Sequence, residues 1–378
     1  MSSGIRMRAA LIAAMVGVAA VPVLSGTAGS VAPTEPHRPT LSDGRWVGPL
    51  SWTGNQRGRV AGSGLQIQQA PFIGRGSMQF VVQGDQIEES TFSMVISGQI
   101  EGVGDDLTTY TGDRTMSYTG TVAGVPESPC LQGQYDIAGT VTANTPVGPL
   151  QVSLPPGSAV FPVECPNMPL LLTHVACDVA SGTFAPYFAE ENAQYGIRLS
   201  GQATFTLFRA GDYFTPEEAE ANAAQIQEWV TRLNSEVPED PRALRNLLGE
   251  IDRFFGDTFH NDECGRLGRG ATILADAVRT MTIGYLARHE GIELGDLAAL
   301  IQANYRVGNF SWADAGDPLA RRVRNDLYAA LDDQVDFYEA SGRRGSDFLE
   351  QIETIAHQNG WNRIAEHARE AWGRLNDR

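Results

Sequence analysis

The sequence predicts an α+β protein of two domains, an N-terminal antiparallel β barrel or sandwich followed by a C-terminal α-helical domain of antiparallel helical hairpins. Three observations carry that prediction. Residues 41–213 alternate apolar and polar side chains in short, glycine-punctuated runs, as half-buried strands do. Residues 214–378 repeat apolar side chains at spacings of three and four. Between the two stands a helix-start signal at Thr215.

Two segments precede the β domain. In residues 1–28, Arg6 and Arg8 lead an uncharged apolar run from Ala9 to Leu24 that ends in small residues, the pattern of a secretory signal peptide cleaved near Ala28. With Pro22 inside it, the run falls short of the roughly 20 apolar residues of a membrane span. The stretch "VLSG" resembles a lipobox, but Thr27 follows it and the first cysteine is Cys130, so a thioether-linked lipid is excluded. The expected product is a secreted or extracytoplasmic chain with no membrane span after cleavage. Residues 29–40 form a Pro-rich leader.

Within 41–213, "TFSMVISG" places Phe92, Met94 and Ile96 on one face and Thr91, Ser93 and Ser97 on the other. "IRLSGQATFTLFR" likewise gathers Ile197, Leu199, Gly201, Ala203, Phe205 and Leu207. The stretches "QGD", "TGD" and "VAG" read as turns. Gly120, Gly133 and Gly201 fall on strand faces, where glycine marks either sheet curvature or room for a ligand. The proline-dense run Thr145–Pro169 suits an edge strand or a long connection. Trp46 and Trp52 fit either sugar binding or the packing of the first strand.

The helical domain opens with a capping box, Thr215 with Glu218, and Asp240-Pro241 and Asp317-Pro318 mark later helix starts. Leu319, Val323, Leu327, Leu331, Val335 and Tyr338 form one buried stripe. Asn359-Gly360 breaks the chain before a second stripe of Trp361, Ile364, Ala368, Trp372 and Leu375.

The chain contains no lysine, so Schiff-base chemistry, Ser-Lys dyads and lysine phosphate loops are excluded. Its formal charge of -17 repels phosphate backbones and argues against nucleic acid as a partner. The acidity is spread, with 8 Arg against 16 acids in 29–213 and 18 Arg against 29 acids in 214–378. Four cysteines in an exported chain predict two disulfides. Cys130, Cys165 and Cys177 belong to the β half and Cys264 to the helical half, so full pairing puts one bridge across the halves. Cys165 with Cys177 and Cys130 with Cys264 is the preferred set.

Neither G-x-S-x-G nor H-E-x-x-H occurs. Asp257, His260, Asp262 and Glu263 are the densest set of candidate metal ligands, and solvated carboxylates explain them better. Glu353 with His357, and His367 with Glu370, share helix faces, as surface ion pairs do. Arg321, Arg322 and Arg324, with Arg343 and Arg344, are candidates for binding an anion or an acidic partner.

No cofactor is implied. The reading that follows is an exported, non-catalytic binding protein whose partner is another envelope or extracellular protein. The alternatives are a carrier of a lipid or other apolar small molecule in a curved β domain, and a hydrolase using two carboxylates.

Overall fold

A computed structural model describes residues 39–59, 66–104, 108–145, 148–160, 168–184, 197–235, 241–259, 273–288, 292–308 and 318–376. The chain divides into two compact units, one through Glu228 and one from Trp229. That division falls inside the first helix, α1 (Pro216–Ser235), rather than ahead of it. Its cause is local: Trp229 packs edge-on against Phe254 and Arg232 reaches Glu250, both on the next helix, α2 (Pro241–Phe259).

The first unit is one antiparallel sheet of nine strands in the order β6-β5-β4-β3-β2-β1-β9-β8-β7. The strands are β1 (Gly44–Arg59), β2 (Gln66–Gln83), β3 (Gln86–Val103), β4 (Thr109–Val125), β5 (Ser128–Thr145), β6 (Gly148–Val160), β7 (Leu170–Ala176), β8 (Val179–Phe184) and β9 (Ile197–Arg209). A second sheet, which a sandwich needs, is not present among the described residues; this one curls into a half-barrel. The curl shows where the segment ahead of β7 returns to β5. Cys130 bridges Pro169, and the Leu131 amide donates to the Met168 carbonyl at 3.0 Å. β6 pairs with β5 only from Gln134 onward, so that edge of β5 is open to receive it.

The inner face is filled with large side chains. Trp46, Leu50, Trp52, Phe72, Met78, Phe80, Phe92, Met94, Tyr118, Phe205 and Leu207 form one buried cluster. Trp46 and Trp52 are therefore core residues, Trp52 edge-on to Phe72 at 4.7 Å. Glycines lie beside these groups. Gly74 is registered between Trp52 and Ile96, and Gly76 between Leu50 and Met94, so each large residue extends over a neighbour that has no side chain. Gly120 and Gly133 face each other across β4 and β5, and a Cβ on Gly120 would lie 1.9 Å from the Gln132 carbonyl oxygen. The backbones approach too closely there for any side chain, which is how a strand bends sharply.

Several local readings agree with this sheet and two change. Phe92, Met94 and Ile96 are buried and Thr91, Ser93 and Ser97 exposed. "QGD" is the β2–β3 turn, with Gly84 at φ +63°. "TGD" is not a turn: Thr111, Gly112 and Asp113 run within β4, where Thr111 and Asp113 are exposed and polar residues cost nothing. β9 also has a second buried face, because Thr204, Thr206 and Phe208 are covered as well as Ala203, Phe205 and Leu207. Of the proline-dense run, Pro149, Pro155 and Pro156 enter the edge strand β6, the latter two at the register shift opposite Ile137 and Gly139.

One corner joins β8 to β9 and to α1. Cys177 and Asp178 make a two-residue turn with φ 55° and 62°, the backbone of a type I′ hairpin. The buried Asp178 carboxylate accepts from Arg209 and, at 2.8 Å, from the Tyr213 amide. Neither Cys130 nor Cys177 is a free thiol, and Cys165 and Cys264 lie outside the described residues.

The second unit holds α2, α3 (Ile273–Arg288), α4 (Leu294–Gly308), α5 (Pro318–Ala340), a 3-10 turn (Gly342–Gly345), α6 (Ser346–Gln358) and α7 (Asn362–Asn376). Local start and stop signals match. The capping box forms, Thr215 N–H to Glu218 Oε2 at 2.8 Å and Glu218 N–H to Thr215 Oγ1 at 3.2 Å. Helices begin at Pro241 and Pro318. After α6, Gly360 at φ +69° lets the Trp361 amide reach the Ala356 carbonyl, a Schellman stop. Val323, Leu327, Leu331 and Val335 are fully buried, but in the last helix Ala371 takes the buried line and Trp372 stands 37% exposed. Packing order is less local, since α2 lies against α4 and α3 against both α4 and α5. Helix α3 is buried over most of its surface, through Ile273, Leu274, Ala277, Val278, Arg279, Met281 and Tyr285 among others, and exposes only the strip of Thr280 and Ala287 and its last residue. Among the described residues no helix is long and apolar enough to cross a membrane.

Candidate functional site

Helix α5 is the spine of the candidate surface. Its buried stripe fixes its rotation, so Asp332, Asp336 and Glu339 fall on one flank and Phe337 on the other. The arginine candidates sit at its opposite ends. Arg321, Arg322 and Arg324 are in its first turns and Arg343 and Arg344 in the 3-10 turn beyond it, about 30 Å away at the rise of a helix. They do not form one patch. At the first end Arg322 lies 3.7 Å from Asp326 and Arg324 donates to Asn325 at 3.2 Å.

At the far end, where the 3-10 turn carries Arg344, aromatic rings emerge. The Phe337 and Tyr338 rings meet edge-on at 5.1 Å, and Tyr338 stacks on Phe348 of α6 at 4.4 Å. Phe337 is 60% and Phe348 38% exposed, and Arg344 is exposed as well. Such a ladder buries part of each ring and leaves the rest to solvent.

On the other flank, α5 faces α7 through charge. His367 Nδ1 lies 2.9 Å from Asp332 Oδ1, and Nε2 lies 3.4 Å from Asp336 Oδ1. Arg374 grips Glu339 with two parallel bonds of 2.6 and 2.9 Å and approaches Glu370 at 3.7 Å. Those contacts raise the Arg374 guanidinium above its ordinary value, the hydrogen bond to Glu339 first.

A third polar group is internal. Asp296, in the first turn of α4, is 1% exposed and takes a hydrogen bond from Arg245 of α2, which also meets Glu293 at 3.0 Å. Burial raises the Tyr285 hydroxyl above its ordinary value, and the nearby Asp296 carboxylate adds to the shift. Burial raises Tyr338 in the same way, with Glu293 contributing. Four helices meet there by side-chain polarity, and the arrangement is structural because its carboxylate is spent on its neighbours.

The sequence candidates divide accordingly. His260, Asp262 and Glu263 lie outside the described residues, as does the side chain of Asp257 at the end of α2. The pairs on the last two helices do not converge. Glu353 and His357 are 3.6 Å apart and both meet Arg369, whereas His367 turns away toward α5. Spacing along one helix revealed which residues share a face, but not that Asp332, Asp336 and Glu339 lie opposite. No family model, curated protein or solved structure matches the chain.

Proposed function

We propose that the chain is exported and acts outside the cytoplasm as a non-catalytic binding protein, with the end of α5 as its contact surface. The observation that supports this is the ladder of the exposed Phe337 and Phe348 on either side of the half-buried Tyr338, at the end of α5 whose next turn carries the exposed Arg344. Aromatic and arginine side chains are those that protein interfaces concentrate, since they bury large area with little loss of rotamer freedom. The filled inner face of the sheet favours this reading over a carrier, which needs an apolar cavity. The signal peptide and disulfides among Cys130, Cys165, Cys177 and Cys264 belong to the same reading, and peptide mapping of the mature chain tests them.

The deciding experiment places a photo-crosslinking phenylalanine analogue at position 337 in the native host, with the exposed Val125 of the β unit as control. A single discrete adduct from position 337, absent at 125 and lost with Phe348→Ala, supports the proposal. Export without an adduct at 337, or the same adducts from both positions, overturns it.

A further inference from the structure

The ring of His367 is held between two carboxylates of α5. The 2.9 Å contact of Nδ1 with Asp332 is a charge-assisted hydrogen bond that places the ring proton on that nitrogen. In the neutral ring, Nε2 then turns a lone pair toward Asp336 Oδ1 at 3.4 Å, two acceptors facing each other. A positive centre between them makes that arrangement favourable. The separation suits a metal ion, because two ligands of a tetrahedral zinc with bonds of about 2.1 Å stand roughly 3.4 Å apart.

Glu339 supplies a third donor. It lies one helical turn from Asp336, and ligand atoms of Asp336, Glu339 and His367 all lie within 4.8 Å of one another. Arg374 occupies one position on each Glu339 oxygen, and a carboxylate has about four such positions. Arg374 thus orients Glu339 as Asp332 orients His367, the supporting contacts that metal ligands ordinarily have. With a neutral imidazole, the four carboxylates of Asp332, Asp336, Glu339 and Glu370 outweigh the one guanidinium, leaving -3 that a dication reduces to -1.

We propose that His367 Nε2, Asp336 and Glu339 bind one divalent ion of zinc type, with Asp332 and Arg374 positioning the ligands. The ion ties α5 to α7 beneath the contact end of the helical unit and leaves a coordination position toward solvent, where Asp336 is 76% exposed.

Calorimetric titration of the metal-stripped full chain with Zn²⁺ at pH 7.5 tests this, with Co²⁺ absorption reporting the ligand field. Expected is one high-affinity site per chain, weakened at least about tenfold by His367→Gln or Asp336→Asn and about tenfold by Asp332→Asn. Thermal melts without metal check that each variant folds; if His367→Gln does not, the exposed Asp336→Asn decides. Zinc uptake unchanged in these variants, an adventitious ion only, overturns the proposal. So does an absence of uptake below about 1 mM, or a melt that responds to acid and not to zinc, which identifies a proton as the occupant of Nε2.

Discussion

The half-barrel and the helical unit solve burial in opposite ways. The sheet fills its inner face with apolar groups, the Tyr118 hydroxyl excepted, and obtains a close fit by setting glycine beside Trp52, Leu50 and Met94. The helical unit builds its interior from leucine and alanine and admits polar groups: Arg279 with Asp276, Thr282 with Asn304, and Asp296 with Arg245. Glycine shapes the interior of the sheet, whereas in the helical unit it works at helix ends, as at Gly345 and Gly360, and is idle within a helix, as at Gly249. The lesson is that the same residue type reports packing inside a strand and punctuation between helices.

Mutations can break that contrast in order of effect. Phe205→Ala empties a fully buried position of the sheet and should cost about 3–5 kcal/mol, read as lost hydrogen-exchange protection in β1, β8 and β9. Asp296→Ala removes the carboxylate that Arg245 and Tyr285 share, and should cost about 2–3 kcal/mol in denaturant melts through the lost charged hydrogen bonds, with protection lost in α2 and α4. Gly120→Ala drives a Cβ into the Gln132 carbonyl and should cost about 2 kcal/mol by the same assay. Gly249→Ala meets nothing within 4 Å on α2 and should stabilise by up to about 1 kcal/mol. If the two glycine variants behave alike, the contrast is false.

A pH titration sharpens it further. Unfolded tyrosine releases its proton near 10.0, while Tyr285 and Tyr338 hold theirs to higher pH when folded. Above pH 10 the unfolded chain therefore binds fewer protons than the native one, and stability falls as pH rises through the folded values. Below pH 10 this contribution is fully present. Tyr285→Phe should make alkaline melts of the helical unit measurably less steep in pH, a smaller effect than any substitution above.

Much of the fold is written locally in the sequence. The capping box at Thr215, the starts at Pro241 and Pro318, the stop at Gly360 and the alternation around Met94 depend on neighbours within a few residues. Long-range pairing has no such trace. Periodicity places Gly120 and Gly133 on strand faces but not opposite each other, and it cannot show that α2 prefers α4. The same holds for the candidate site, where His367 is visible as a helix-face residue and its three carboxylates are contributed by a helix some thirty residues earlier. Periods of three and four both place Trp372 on the buried stripe, but the smaller Ala371 is the residue that α7 buries.

The interior strand β1 is hydrogen-bonded to β2 on one side and β9 on the other. Its partner in the corner, Arg209, donates to the Asp43 carbonyl across 166 residues of chain. Synthesis releases β1 long before β9, so one edge of this interior strand stays unpaired while β1 to β6 are already made. Such a chain cannot complete its sheet from the N-terminus outward. Until residue 209 has emerged that edge stays open, a template on which another chain can pair.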